Sequence, residues 1–429
     1  MKLAAPANEN YAATVVRLPK LLPLAGCDNL VGAPIFGFQA IVSNDHAEGD
    51  LGIVFPAECQ LSLEYASHNN LHRHGDLNKD EGAVGYLEDN RRIRAIKLRG
   101  HRSDCLFMPI ESLSYLGVTA DDFEVGDTFD TIGDHQICQK YIIKTVGNPR
   151  RDQAKQVKRF IRVDPRLFPE HLDTANYWRN AHLIDPDEWV YVTQKVHGTS
   201  WRGSRSLVLR KLRRRDRIAR RLGVHVDLHE WDAVAGSRKV IKDPHNPDQQ
   251  HFYTSDIWTA YLERVQHLIP EGFIVYGELI GWTPDNAAIQ TNYTYGMPKG
   301  THELFVYRVA MVNPKGVVVD LSWPQVRIFC NQAGLRHVPD LWEGPHKEFV
   351  AEDWIDRRFA DDGHKNALPL DGSTKLVDEG VCIRADRLTP IVLKAKSPIF
   401  LAHETKLLDK GETNLEDEGS TKEGTDADS

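Results

Sequence analysis

The sequence predicts an α+β fold in two parts, and three features of the chain support this prediction. Short segments of β-type content, separated by turns, run from residue 1 to about residue 145. Strand and helix patterns then mix over residues 166–408. Residues 146–165 are polar and basic, which favours a linker between the two parts. Residues 409–429 hold eight acidic and two basic residues, which predicts a disordered acidic tail.

The first part contains strand patterns with loop-rich connections. Leu51–Phe55 and Arg92–Leu98 both have β-type content. Gly126 and Asp127 form a turn signal directly before a further strand pattern at Thr128–Phe129. Few helix patterns interrupt these segments, so the sequence predicts a small five-stranded β-barrel of the OB type.

Charge is distributed unevenly along the 429 residues. The chain has 53 Lys and Arg against 61 Asp and Glu, a net charge of −8. Without the acidic tail the balance is 51 bases against 53 acids, which is nearly neutral. Any surface that binds a polyanion must therefore be a local patch.

One such patch is predicted between Arg202 and Arg221, where ten basic residues accompany Asp216 as the only acid. Leucine and isoleucine residues recur there at roughly helical spacing, and Gly223 can end the helix. A solvated helix face is one interpretation. The other is a surface for nucleic-acid phosphates, because clustered arginines gain affinity by releasing counterions. The residues predicted to make such contacts are Arg213, Arg214, Arg215, Arg220 and Arg221.

The six cysteines are widely spaced and form no Cys-x-x-Cys pair, which favours a reducing compartment. There is no basic-then-apolar leader, and no apolar run reaches the roughly 18 residues of a membrane span. We therefore expect a soluble cytoplasmic protein. His68, His72 and His74 could suggest a metal site, but without acidic or cysteine partners at standard spacing they are predicted to be solvated loop histidines.

The segment Gln194–Ser200 places a lysine and a glycine at the end of a predicted strand. The deprotonated amine of Lys195 could attack the α-phosphate of a nucleotide, while Gly198 would let the backbone approach the ligand. Its amine must then be neutral near pH 7, which burial or neighbouring cations would favour. Taken alone, Lys195 could equally be an exposed lysine.

Further segments follow this lysine in a fixed order, and together they supply what nucleotidyl transfer needs. Two carboxylates can hold a hard divalent cation, cationic side chains can bind a triphosphate, and an aromatic ring can stack on a purine. Each residue alone has an ordinary structural explanation, and their joint order is what favours chemistry. The segments are Gly236–Lys239, Phe273–Gly281 with Glu278, Leu304–Val309 with Tyr307, Asp378–Arg384 with Glu379, and Ile391–Lys396 with Lys394 and Lys396.

In this order the segments resemble the covalent nucleotidyltransferase superfamily of ligases and mRNA capping enzymes, over about residues 166–400. His197, two residues after the lysine, and the following Thr-Ser are typical of the RNA ligase 2-like branch. Phe168–Thr174 is similar to the family's lead-in to the nucleotide pocket. The resemblance implies an ATP-grasp-like domain of antiparallel sheets flanked by helices. The first part resembles the amino-terminal OB module of RNA ligases that seal nicked duplexes.

The resemblance also implies a role for each residue, with Lys195 forming a covalent bond to AMP and His197 serving a later step. Arg238 would contact the ribose or the RNA end, Glu278 and Glu379 the ribose and a Mg²⁺ or Mn²⁺ ion, Tyr307 the adenine, and Lys394 and Lys396 the α-phosphate. Many relatives have Glu where this chain has Gln194. If that side chain reads the adenine amino group, it does so without charge, which makes the preference for ATP less secure.

The resemblance thus implies an ATP-dependent RNA ligase that acts as a monomer on RNA with 5′-phosphate and 3′-hydroxyl ends, in a nicked duplex. An mRNA guanylyltransferase or a DNA ligase is the nearest alternative. In both, the OB domain usually follows the catalytic domain, whereas only about thirty residues follow Lys396 here. A non-catalytic RNA-binding protein is a third alternative, which the complete set of charged residues disfavours.

Overall fold

The computed structural model describes residues 3–142, 162–242, 253, 255–372 and 375–410. The predicted linker is described only from residue 162, and the predicted tail only at residues 409 and 410; the rest of both lies outside the described ranges. Mostly antiparallel sheets with a few helices make up these ranges, which confirms the α+β class. No helix within them is long and apolar enough to cross a bilayer.

The first part of the chain, as described, is built from thirteen short strands and one α-helix. They are β1 (Ala13–Arg17), β2 (Leu22–Pro23), β3 (Leu30–Ile35), β4 (Phe38–Ser43), β5 (Leu51–Pro56), β6 (Cys59–Leu61), α1 (Leu63–His68), β7 (Ile96–Leu98), β8 (His101–Ser103), β9 (Cys105–Pro109), β10 (Thr128–Phe129), β11 (Thr131–Ile132), β12 (His135–Gln136) and β13 (Cys138–Lys140).

Seven of these strands form one sheet in the order β10-β1-β5-β9-β4-β3-β2. Its neighbours are antiparallel except β4 and β9, which pair in parallel. The consecutive strands β1 and β2 lie far apart in the sheet, since β1 pairs with β10 and β5 whereas β2 forms the opposite edge beside β3. This pairing is compatible with the OB-type barrel, which stays a prediction.

The predicted strands of the first part are found with one exception. Leu51–Phe55 lies in β5, and Thr128–Phe129 is β10. Of Arg92–Leu98, only the last three residues form a strand. Arg92 instead turns inward and is 3% exposed.

The second part contains the remaining strands and helices of the described ranges. They are β14 (Ala175–Asn176), α2 (Tyr177–Asn180), β15 (Trp189–Gln194), β16 (Thr199–Leu209), α3 (Arg214–Arg221), β17 (His229–Gly236), β18 (Ile241–Lys242), α4 (Ile257–Val265), β19 (Phe273–Gly281), β20 (His302–Val312), β21 (Val318–Asp320), α5 (Trp323–Ala333), β22 (Arg336–His337), β23 (Asp340–Pro345), β24 (Gly380–Ala385), β25 (Ile391–Lys396) and α6 (Pro398–Asp409).

The strands of this part form two sheets. The smaller has the order β14-β25-β24-β15-β23, and the larger has β18-β17-β16-β19-β20-β21 with β22 beside β20. The near-continuous apolar run of Phe273–Gly281 suits a strand buried on both faces, and β19 lies between β16 and β20. Helices α4 and α5 contribute Trp258 and Trp323 to the core beside this sheet.

Helix α6 follows β25 and packs against the first part. Leu401 contacts Ala57 and Ala95, and Asp409 accepts a 2.8 Å hydrogen bond from the Arg92 guanidinium. Asp409 therefore ends a docked helix, whereas the sequence prediction placed it at the start of the acidic tail.

Candidate active site

Lys195 lies where the chain passes from the smaller sheet of the second part to the larger one. Strand β15 ends at Gln194, as predicted, and β16 begins at Thr199. The Lys195 N–H donates to the Gly380 carbonyl over 2.9 Å, which ties this connection to the start of β24. The Lys195 side chain is 19% exposed, so it can be reached from outside the core.

Glu379 brings two of the predicted lysines together. Its Oε1 atom lies 2.8 Å from Nζ of Lys195 and 2.8 Å from Nζ of Lys396. The strands explain this meeting, because Gly380 at the start of β24 pairs with Lys396 at the end of β25. The Glu379 side chain is 2% exposed, and the ammonium groups offset the cost of burying its charge.

His197 lies against the same carboxylate, with Nδ1 3.6 Å from Oε2 of Glu379. Its ring meets those of Tyr293 and Phe400 edge to face, at centroid distances of 5.1 and 4.9 Å. Burial among these rings lowers the pKa of His197 below its usual range. The imidazole is therefore neutral near pH 7 and is unsuited to binding phosphate as a cation.

Gly198 has a packing role that was not predicted from the sequence. A Cβ atom at this position would lie 2.2 Å from the Leu279 carbonyl oxygen and 3.0 Å from Cγ of Glu278. The glycine thus permits close packing of β16 on β19, and it is not among the residues that line the main cavity. That it lets the backbone approach the ligand stays a prediction.

A cavity opens beside Lys195, with walls from both sheets. It brings together most of the predicted nucleotide-binding side chains. Those on its wall are Gln194, Lys195, Arg238, Glu278 and Tyr307. Val338, Val392 and the Trp323 ring complete an apolar surface of the kind that small-molecule sites present to a flat ligand.

Tyr307 reaches this cavity through a β-bulge in β20. Tyr276 pairs with Arg308 and Gly277 pairs with Val306, which leaves Tyr307 as the extra residue. Both Tyr307 and Arg308 line the cavity as a result, although neighbours in a regular strand point to opposite faces. The Tyr307 hydroxyl hydrogen-bonds to Nδ1 of His171 over 2.5 Å, so the predicted lead-in segment forms part of the wall.

Gln194 lies at the cavity wall but directs its amide into the protein. Its Oε1 accepts a 2.8 Å bond from the Leu368 N–H, and its Nε2 donates to Asp378 over 2.7 Å. The residue is 1% exposed. These bonds give the amide a structural role, and its reading of the adenine amino group stays a prediction.

Glu278 and Arg238 both line this cavity. Glu278 lies on β19, and its Oε1 accepts a 3.1 Å hydrogen bond from the Gly198 N–H. Arg238 forms an ion pair with Asp173 of the lead-in segment. These two contacts hold charged groups at the cavity wall, where a bound nucleotide would contact them.

The donor set fits a divalent cation that arrives with a nucleotide. The described part of the chain contains no group of three or more His, Cys, Asp and Glu side chains able to hold a metal. Mg²⁺ is usually bound through one or two carboxylates and the oxygens of substrate phosphates. Glu379 and Glu278 match that mode.

Lys394 and Lys396 line a second cavity, between the two parts of the chain. They share one face of β25, because side chains alternate along a strand. Glu58 and Asn10 of the first part line the same cavity. The two lysines thus lie at the boundary between the parts, while Lys195 lies on the main cavity.

The basic cluster divides into a strand segment and a short helix. Arg202 and Arg205 belong to β16, and Arg202 is 1% exposed, with its guanidinium over the Phe168 ring. Helix α3 is shorter than predicted and contains no buried residue. The five arginines predicted to contact phosphates are all exposed on or beside α3.

The three neighbouring histidines are not the solvated loop residues that were predicted. His72 is 0% exposed, and burial lowers its pKa. His68 stacks on the Tyr115 ring at a centroid distance of 4.2 Å. Only His74 is exposed, and it hydrogen-bonds to Asp89 over 2.8 Å.

Two site residues were not singled out from the sequence. Asp378 fixes Gln194 and also accepts from the Phe359 N–H, and burial raises its pKa to about 6. Its position next to Glu379 was the only sequence signal. Glu404 on α6 lies 3.5 Å from Nζ of Lys396, and no pattern in the sequence linked it to the site.

Comparison with known proteins gives a family and a fold. The model of the RNA ligase family matches residues 188–399. No curated protein sequence matches the chain significantly.

Solved structures of one protein, an RNA ligase of Naegleria gruberi, are similar to the whole chain. The structure with PPi has a TM-score of 0.58 and 15% identity, and the match covers 93% of this chain and 100% of that one. A lysine-to-alanine variant with ATP and Mn has a TM-score of 0.56 and 16% identity, with coverage of 93% and 99%. At such identity the likeness concerns the fold, including the order of the two parts.

Proposed function

We propose that this chain is an ATP-dependent RNA ligase, on the premise that the model of the RNA ligase family matches its residues 188–399. It would take AMP from ATP, transfer it to an RNA 5′-phosphate, and join that phosphate to a 3′-hydroxyl. The observation that carries the proposal is the meeting of Lys195 with Glu379 and Lys396, next to a cavity that Lys195 lines together with Arg238, Glu278 and Tyr307.

In the first step, Nζ of Lys195 attacks the α-phosphorus of ATP. An N–P bond forms, the bond from that phosphorus to the bridging oxygen breaks, and pyrophosphate leaves with the electron pair. The attacking amine must lose a proton, and Oε1 of Glu379 at 2.8 Å is placed to hold it. Lys396 shares that oxygen and can turn its positive charge to the phosphate as charge develops there.

The main cavity would hold the nucleoside. Tyr307 and the neighbouring apolar residues offer a surface for the base, and Arg238 and Glu278 offer polar groups for the ribose or the RNA end. The Gln194 amide already bonds to Leu368 and Asp378, so we assign base discrimination mainly to other groups of the wall.

A Mg²⁺ or Mn²⁺ ion would be held by Glu379 and Glu278, and when bound it would neutralise phosphate charge and polarise the phosphorus–oxygen bonds. Naegleria gruberi RNA ligase was solved with ATP and Mn and with AMP and Mn, which supports this choice of nucleotide and metal class.

The RNA would bind as a nicked duplex with 5′-phosphate and 3′-hydroxyl ends. Support comes from the exposed arginines of α3 and from a β-rich first part in the position expected of an OB module. We include in the proposal a monomeric enzyme in the cytoplasm, and the six cysteines, all free thiols, suit such a reducing compartment.

The proposal is tested by incubating the protein with α-labelled ATP and Mg²⁺ or Mn²⁺, followed by denaturing electrophoresis and peptide mapping. We expect label on Lys195, its loss in Lys195→Ala, and its retention in Lys406→Ala, an exposed lysine of α6. The variant that loses the label should also lose the sealing of nicked RNA.

Label from GTP in place of ATP would replace the proposal with a guanylyltransferase. Label on a residue other than Lys195 would overturn the assignment of the nucleophile. A folded protein that binds nicked RNA but forms no adduct with either metal would be a non-catalytic RNA-binding protein.

A further inference from the structure

Glu404 lies close to the lysine that is proposed to bind the phosphate. It lies on α6 and approaches Nζ of Lys396 to 3.5 Å, on the side of the ammonium that faces the boundary between the two parts. The Glu404 side chain is 14% exposed. Lys396 is thereby held between two carboxylates, one at the start of β24 and one on α6.

The first part fixes the far end of α6 through a buried network. Glu58 accepts hydrogen bonds from Arg92 at 2.6 and 2.7 Å and from the Thr405 hydroxyl at 2.7 Å. Arg92 also donates to Asp409 over 2.8 Å. The Arg92 side chain is 2% exposed, so breaking one contact would leave buried charge without compensation.

The near end of α6 is fixed by a second network. Arg102 of the first part lies 2.6 Å from the carboxylate of Asp104 and 3.5 Å from that of Asp356. Asp356 accepts from the Ser397 hydroxyl over 2.6 Å and from the Ile399 N–H over 3.2 Å. Ser397 is the residue directly after Lys396 and caps α6, so this contact also limits the end of β25.

We propose that Glu404 is a positioning residue for Lys396, and that the first part of the chain sets the place of this ammonium by holding α6 at both ends. This inference rests on the proposed function and deepens it, since it gives the first part a role in nucleotide transfer. Without Glu404, Lys396 is drawn toward Glu379, where Lys195 also binds. A misplacement of about 1 Å can cost on the order of a hundredfold in rate.

The test measures single-turnover formation of lysyl-AMP at saturating ATP, together with the ATP concentration for half-maximal rate. Glu404→Gln should slow the reaction by about ten- to a hundredfold while changing the half-saturating ATP concentration by less than about threefold. Thr405→Val removes a hydroxyl from the network at the far end of α6 with little change in side-chain shape. It should also slow the formation of lysyl-AMP. Lys406→Ala on the exposed face of α6 should match the wild type.

The Lys396→Ala background separates positioning from a merely structural effect. There Glu404→Gln should cause no further loss of residual labelling, because the ammonium that it places is absent. Wild-type rate in Glu404→Gln, or an equal loss in both backgrounds, would overturn the inference. Failure of the wild-type protein to form any adduct would instead overturn the proposed function, so the two failures are distinguishable.

Discussion

A single carboxylate oxygen of Glu379 lies 2.8 Å from two lysine ammonium groups, and this shared contact determines how the site can respond to ATP. A triphosphate brings negative charge that competes with Glu379 for both lysines. Binding can therefore release Lys396 to the phosphate while Lys195 gives up a proton. The neutral ring of His197 against the other oxygen leaves this exchange to the two lysines.

A substitution at Gly198 gives a testable prediction at the scale of single residues. In Gly198→Ala the new Cβ would meet the Leu279 carbonyl oxygen at 2.2 Å, so β16 and β19 must separate next to Lys195. We expect a loss of about 2–4 kcal/mol in the free energy of unfolding and strongly reduced AMP labelling. Thermal unfolding and adduct formation measure both effects.

Gly372→Ala is the matched control, because a Cβ there has nothing within 4 Å. It should behave as the wild type in both measurements. Wild-type stability of Gly198→Ala would show that the two strands can part without cost.

At the scale of elements, the strands that carry the site residues could be predicted from the sequence. The long-range contacts of those residues could not. Phe273–Gly281 and Ile391–Lys396 were singled out from the sequence as segments of the site, and each is one complete strand. The inward turn of the Gln194 amide and the bulge at Tyr307 depend on partners far along the chain, Asp378 and Tyr276. Local sequence patterns contain no information about such long-range pairings.

The exposed arginines of helix α3 give a testable prediction at the scale of elements. Reversing the charge of Arg213, Arg214 and Arg215 should weaken sealing of nicked RNA while lysyl-AMP formation stays within about twofold of the wild type. The slope of log affinity against log salt should fall by about 0.9 for each phosphate that the variant no longer neutralises. Nitrocellulose binding over a salt series and single-turnover labelling measure the two effects.

Charge reversal at three exposed lysines elsewhere is the control, since it changes net charge equally. Lys299, Lys315 and Lys406 are suitable. Equal weakening in both triple variants would mean that net charge decides the effect. Equal loss of labelling and sealing in the α3 variant would assign a structural role to the helix.

At the scale of the whole molecule, the contact between the two parts is built from buried charges, and Asp104 makes it sensitive to pH. Burial raises the pKa of Asp104 to about 7, although Arg102 lies 2.6 Å away and favours the charged form. The unfolded chain has the ordinary aspartate value of 3.8. Between these pH values the folded protein binds a proton that the unfolded chain releases, so stability falls as pH rises through this window.

Asp104→Asn removes the titrating group and should remove this part of the pH dependence. Between pH 5.5 and pH 8, the wild type should lose roughly 2 kcal/mol more of its free energy of unfolding than the variant. Denaturant unfolding at both pH values measures the difference, with the exposed Asp28→Asn as control. An equal loss in Asp104→Asn and the wild type would show that the carboxylate stays charged in the folded protein. Its pairing with Arg102 would then outweigh the cost of burial, and the contact between the two parts would be insensitive to pH at this residue.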